Sequence, residues 1–248
     1  MDPFLYNINL YFQGEPMMHP DFFSFLDHSG ISTTTVSTNG HFLTEENSEK
    51  LISSGLKKLI VSLDGMDQKV YSEYRRKGDF NKVVAGIKNV LAAKTRFRSS
   101  LKLEIQFLVN RYNEHQVGQA KQFARERGVS LKLKSMQVIN SGSIGDWMPL
   151  DRKYRRYIKR NDGYVIKSTL PDRCFRLWFN PVITWDGKVL PCCFDKDADY
   201  IMGDLNLNSF REIWHGSAYS EFRKGVLAGR NKIGMCRNCT AGLNGVRF

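Results

Sequence analysis

The sequence predicts an α/β fold: a parallel sheet, open or barrel-like, followed by a smaller cysteine-bearing domain built from a β-hairpin and helices. Three observations predict it. From residue 6 to about 140, short strand-like runs alternate with helical stretches, the rhythm of β-α-β units. Leu101, Leu103, Ile105 and Phe107 alternate with polar or charged neighbours, whereas Phe80, Val83, Val84, Ile87, Val90 and Leu91 recur at helical spacing, so both periods are present. All five cysteines, Cys174, Cys192, Cys193, Cys236 and Cys239, fall in the last third of the chain.

The strand-like runs are Asn7–Gln13, Ile31–Thr38, Leu59–Leu63, Leu101–Val109 and Val129–Val138. Thr44 and Asn113 stand where helix N-caps belong, and Gly30, Gly55 and Gly128 where helices stop. In a parallel sheet the ligand site lies at the C-terminal ends of the strands. Those ends read Gly14-Glu15-Pro16, Ser37-Thr38-Asn39-Gly40, Ser62-Leu63-Asp64-Gly65 and, after the fourth run, Asn110. Such residues make turns on their own account. Four small or polar ends in one register imply a pocket for a polar ligand. In the run Ser32-Thr33-Thr34-Thr35, hydroxyls can face a barrel lumen, although β-branched residues also simply favour strands.

The chain has 248 residues, enough for one large domain or a domain with an appendage. It has no apolar run of membrane-spanning length, so no membrane partner is expected. Its net charge is +12, which admits an anionic peptide, an anionic cosubstrate or nucleic acid. The densest basic stretch, Asp151–Arg160, reads as a helix with tyrosines and an isoleucine inward and cations in water. A solvated face is the simpler account, so nucleic acid is not the expected partner. There is no glycine-rich phosphate loop and no Ser-His-Asp pattern. His19, His28, His41, His115 and His215 are scattered and read as turn or surface residues.

The cysteines fall as C-x17-C-C and, after a long gap, C-x2-C. The odd count, the absence of a secretory-type signal and the chain length argue against disulfides. Four spaced thiolates plus a neighbour match a tetrahedral metal site or a cubane iron–sulfur cluster. Spacing alone leaves zinc and iron–sulfur open. A turn at Gly187 makes a hairpin that brings Cys192 back toward Cys174. A helix capped near Asn208 or Ser209, and the helix after it, return the chain to Cys236 and Cys239. Cys193 would point away from Cys192 if the segment is a strand, a spare thiol or an alternative ligand.

The order GEP, then Thr38-Asn39-Gly40, then Val61-Ser62-Leu63-Asp64-Gly65, Tyr71-x2-Tyr74-Arg75 and Gly78-Asp79-Phe80 resembles the radical S-adenosylmethionine (SAM) superfamily. Val109–His115 is similar to that family's fifth barrel strand and following turn. The phrase Trp185-Asp186-Gly187-Lys188-Val189-Leu190-Pro191-Cys192-Cys193, with Cys174 and Cys236-x2-Cys239, resembles the SPASM/twitch extension. The resemblance covers nearly the whole chain. It implies a partial (β/α) TIM-like barrel over residues 1–145, starting at about the second strand, a basic linker or helix over 146–172, and a SPASM/twitch domain over 173–248.

The resemblance also implies roles. Gly14, Glu15 and Pro16 would receive the SAM amino group, although Gln13 stands where the family often has glycine. Ser62 and Asp64 would lie near the SAM ribose, and Arg75 would pair with the SAM carboxylate through its planar fork. Cys174, Cys192, Cys236 and Cys239 would ligate an auxiliary [4Fe–4S] cluster that moves electrons. The family's catalytic cluster needs C-x3-C-x2-C upstream of GEP, and no cysteine precedes Cys174. The expectation is a truncated oxidoreductase or maturase, inactive in SAM cleavage as it stands. A second [4Fe–4S] cluster belongs only to a longer form. The alternative is a degenerate iron–sulfur or zinc-binding scaffold.

In the active family SAM yields a 5′-deoxyadenosyl radical that takes hydrogen from substrate, here a small polyol or sugar-like molecule or a ribosomal peptide. A flavodoxin or ferredoxin would donate electrons, in a reducing cytoplasm. Leu10–Gly14 also resembles a protease-cleavage tag, but Ile8 departs from it and Tyr6–Phe12 alternates as a strand does, so the segment reads as native.

Overall fold

The computed structural model describes residues 6–28, 33–161, 163–167 and 170–239. Gly30, Ile31 and Ser32, to which the sequence assigns a helix stop and the start of a strand, lie outside the described residues. The chain forms two compact units, Met1–Met136 with Gly145–Arg155, and Gln137–Ile144 with Arg156–Arg247. Residues 146–155 thus group with the first unit and 156–172 with the second.

The first unit is a five-stranded parallel sheet in the order β1 (Ile8–Asn9), β2 (Thr34–Thr38), β3 (Lys58–Ser62), β4 (Lys102–Val109), β5 (Ser130–Ser135). Spatial order follows chain order with no switch point, as in a barrel segment and unlike a doubly wound sheet. The connections carry α1 (Phe22–His28), α2 (Glu45–Ser53), α3 (Gln68–Tyr74) and α4 (Phe80–Arg96), then α5 (Val117–Glu126); the short α6 (Ile144–Trp147) follows β5.

Local chemistry sets these boundaries. Thr44 Oγ1 accepts the Asn47 N–H at 3.1 Å at the start of α2. Asp67 and Asp79 do the same for Val70 and Lys82 at the starts of α3 and α4. Gly55 and Gly128 follow α2 and α5 with φ of 75° and 61°, left-handed values that favour glycine. Along β4, Leu103, Ile105, Phe107 and Val109 are buried, and Val83, Ile87 and Val90 of α4 join Leu103 and Ile105 in one core. The other sheet face carries the polar residues. Glu104 there pairs with Lys58 at 2.8 Å.

Gly65 follows β3 so closely packed that a Cβ would lie 2.5 Å from Tyr71 N and 2.6 Å from its Cα. Backbone cannot swing aside as a side chain can. Gly65→Ala is expected to destabilise the unit by about 1–3 kcal/mol, read as a lowered melting temperature.

Three expectations change. The first strand is shorter than Asn7–Gln13. It pairs with β2 at Ile8 and Asn9, with bonds from Ile8 N to Thr33 O and from Leu10 N to Thr35 O at its ends, and Gly14 at φ 78° turns the chain. Asn113 precedes a 3₁₀ turn (Glu114–Gln116) without capping it. Instead its buried amide donates to the carbonyls of Asp64 and Leu108, each at 2.9 Å, and accepts from Asn110 N.

The third change is the basic stretch 151–160, which is not a helix. A 3₁₀ turn (Arg152–Tyr154) leads into β6 (Tyr157–Arg160), which pairs antiparallel with β7 (Gly163–Ile166). The chain reverses at Asn161, φ 30°, in an Asn-Asp-Gly sequence suited to a tight hairpin. The expected inward positions Tyr154 and Tyr157 are buried, but so is Arg156.

The second unit holds this hairpin, a three-stranded sheet in the order β10 (Gly203–Asp204), β9 (Lys188–Leu190), β8 (Val182–Ile183), and helices α7 (Phe210–His215), α8 (Ser217–Gly229) and α9 (Gly234–Arg237). Its core joins Leu177, Val189, Ile213, Tyr219 and Val226. Among the described residues no helix is long and apolar enough to cross a membrane.

Candidate functional site

Each unit presents one site. In the first, an open cleft of about 500 Å³ is lined by Tyr11, Phe12, Gly14, Glu15, Ser37, Thr38, Asn39, Ser62 and Arg75. It lies where β2 and β3 end, the position a parallel sheet dictates. Glu15 holds the cleft together. Its Oε1 accepts from Thr38 Oγ1 at 2.8 Å and from Met17 N at 3.2 Å, and its Oε2 from Asn39 N at 2.6 Å. The carboxylate thus ties the turn after β1 to the end of β2.

Arg75 follows α3. Its Nε donates to Asp64 Oδ2 at 2.7 Å, while Asp64 Oδ1 accepts from Leu108 N at 2.6 Å. Asp64 is almost wholly inaccessible. Burial pushes its carboxyl up, against the Arg75 charge and the Leu108 N–H, which pull it down. Burial opposes the Arg75 charge, but Asp64 more than offsets this and raises the guanidinium. The pair runs through Nε, and Arg75 also lines the cleft.

Of the six residues the sequence assigns to SAM, Gly14, Glu15, Ser62 and Arg75 line this cleft. Pro16 opens a 3₁₀ turn (Pro16–Met18), and Asp64 is buried behind Arg75, so neither lines it. Tyr11 and Phe12 line it without having been singled out as ligands; their strand-like alternation masked the role. A carboxylate, hydroxyls, an amide and a guanidinium are the donor set that an ammonium, ribose hydroxyls and a carboxylate require. The cleft fits SAM.

In the second unit Cys174, Cys192, Cys236 and Cys239 line one enclosed cavity, together with Arg230 and Met235. Cys174 precedes a 3₁₀ turn (Phe175–Trp178). Gly187, at φ 85°, closes the β8–β9 turn, and β9 delivers Cys192. Asp195 anchors the next loop by accepting the N–H groups of Asp199 and Tyr200, each at 2.9 Å. Ser209 and Glu212 form a capping box that starts α7. Helices α7 and α8 then carry the chain to Cys236 in α9, and Cys239 N donates to Cys236 O at 3.1 Å.

Burial pushes the Cys192 thiol up to about 12, and burial raises the Cys236 thiol too, against the pull of Arg230. Metal ligation takes the thiolate form, so binding at these thiols releases their protons. Cys193 is exposed and lies outside the cavity, where Arg176 Nη1 approaches its sulfur at 3.7 Å.

The free volume between the four thiols is about 10 Å³, room for roughly one water. Among the described residues no three of His, Cys, Asp and Glu are set to hold a single metal ion. A cubane takes one thiolate at each iron and accepts a wider spacing than tetrahedral zinc. Four thiols on one cavity supply the one-thiolate-per-iron donor set of such a cluster.

Two family models match this chain, one over each region. The radical SAM superfamily model matches residues 4–105, which places the segment before Gly14 inside the match. The SPASM model, an iron–sulfur cluster-binding domain, matches residues 174–240. A relative from Niallia circulans, the S-adenosyl-L-methionine-dependent 2-deoxy-scyllo-inosamine dehydrogenase, is 23% identical over 237 residues, covering 94% of this chain and 72% of its own. The mycofactocin maturase MftC of Mycobacterium tuberculosis is 24% identical over 265 residues, 95% of this chain and 65% of its own. The fold matches Streptococcus suis SuiB, solved bound to S-adenosylmethionine, with a TM-score of 0.61 and 14% identity over 95% of this chain and 61% of that one. The family implies SAM and an auxiliary iron–sulfur cluster as its cofactors. The chain belongs to the radical SAM superfamily and carries a C-terminal SPASM iron–sulfur cluster-binding domain.

Proposed function

We propose that this chain supplies the SAM-binding and auxiliary-cluster parts of a radical SAM oxidoreductase acting on a small polyol-like substrate. The observation that carries the reading is the set of four cysteines around one enclosed cavity. Four protein thiolates saturate a cubane, so its role is to take up or pass on an electron rather than to bind substrate. SAM, when cleaved, supplies the radical that removes hydrogen; the residues of this chain bind and orient it. Glu15 and the backbone beside it face the ammonium, Ser62 the ribose, and Arg75 the carboxylate. Cys174, Cys192, Cys236 and Cys239 hold the cluster. The Niallia relative, named as an inosamine dehydrogenase, supports the polyol class. A maturase relative and the exposed Phe175, Phe179 and Trp185 of the second unit favour a peptide as the second reading.

No cysteine precedes Cys174, so these 248 residues by themselves are expected to bind SAM without cleaving it. After anaerobic reconstitution and dithionite reduction, it should show the electron paramagnetic resonance signal of one reduced [4Fe–4S] cluster. The Cys193→Ala variant should keep that signal at full intensity. Loss of the signal in that variant would make Cys193 a ligand and sink the assignment of the four.

A further inference from the structure

Two arginines of the second unit, Arg156 and Arg230, are buried. Arg230 follows Gly229 at the end of α8 and is 2% exposed. Its Nη2 donates to Cys239 Sγ at 3.2 Å and its Nη1 to Arg173 O at 3.0 Å. Its Nε is buried with no partner among the described residues. Arg156, also 2% exposed, grips one of the two residues between the paired cysteines: Nε donates to Asn238 Oδ1 at 3.2 Å, and Nη2 donates to Asn238 O. Tyr157 Oη holds the same Asn238 Oδ1 at 2.7 Å.

Among the described residues neither guanidinium forms an ion pair with a carboxylate. The carboxylate beside Arg230 is that of Asp172, which accepts the backbone N–H of Arg230. A buried guanidinium with no carboxylate bonded to it is costly. The cost is recovered if the occupant of the adjoining cavity is anionic. A cubane with four thiolates is anionic, and reduction adds one more negative charge. A cation bonded to a ligating sulfur therefore stabilises the reduced state more than the oxidised one.

We propose that Arg230 sets the reduction potential of the auxiliary cluster, with Arg156 as a second positive charge behind the C-x2-C loop. The inference rests on the iron–sulfur reading of the four cysteines. Arg230 is a positioning and tuning residue, not a ligand. It raises the potential through its charge and its bond to Cys239, making the cluster a better electron acceptor.

The test is a redox titration of the reconstituted chain followed by electron paramagnetic resonance, with iron and sulfide counted on each sample. Arg230→Met is expected to retain iron and to move the midpoint to more negative potential. At the wild-type midpoint the reduced-to-oxidised ratio should fall at least about tenfold, which is about 59 mV for a one-electron couple. Arg230→Lys, which keeps the charge, should shift it less. A full cluster in Arg230→Met with an unchanged midpoint overturns the inference and leaves the cluster reading standing. If Arg230→Met loads no iron, Arg230→Gln decides, since it keeps a donor and removes the charge; an unchanged midpoint there overturns the inference equally. A wild-type chain that takes no iron overturns both readings.

Discussion

Cys236→Ala is expected to weaken cluster binding sharply. The variant leaves one iron of the four without its protein thiolate. Loss of an outer-shell partner already costs about 10–100-fold in metal affinity, so loss of a ligand should weaken iron retention by at least about 100-fold. Cys174→Ala, Cys192→Ala and Cys239→Ala should behave alike, because all four sulfurs line the same cavity. Iron per chain after gel filtration reads the result, with Cys193→Ala as the matched control. The loss should also lower the melting temperature of the reconstituted protein, since binding energy of the cluster is folding energy for the unit that holds it.

Arg75→Ala has two expected effects. The first is on stability. Asp64 is buried and Arg75 is its ionic partner at 2.7 Å, and removing one member of a buried pair costs about 3–5 kcal/mol. The second is on SAM. A charge-assisted hydrogen bond contributes about 1.5–3 kcal/mol, so the dissociation constant should rise by roughly 10–150-fold. Arg75→Lys separates the two. It keeps a cation near Asp64 and recovers part of the stability, but lacks the planar fork and leaves SAM binding weak. Thermal melting and calorimetric titration with SAM read the two effects independently. An Arg75→Ala chain that binds SAM like the wild type would show that the cleft does not use this residue.

The sheet was legible because its residues obey simple periods. The alternation of Leu103, Ile105, Phe107 and Val109 survives intact as the buried row of β4. The cavity of four cysteines was legible because Gly187 and the Ser209 cap act locally and fix how the chain returns. Other features depend on contacts distant in sequence. Asp64 reads as a strand-end ligand, yet it faces Arg75 and the Leu108 N–H in the interior. Arg156 reads as one more cation on a wet face; only the fold shows that it is tied to Asn238, 82 residues away. Arg230 carries no local signal, since a basic residue after a helical stretch ordinarily faces solvent. The helix expected over 151–160 failed because the hairpin turn at Asn161 outweighed a helical spacing set by only a few apolar residues.

Iron and acid-labile sulfide counted on the anaerobically reconstituted protein decide whether Cys174, Cys192, Cys236 and Cys239 hold one cubane. About four irons and four sulfides per chain are expected, in the wild type and in Cys193→Ala alike. A single zinc ion without sulfide would contradict the cubane.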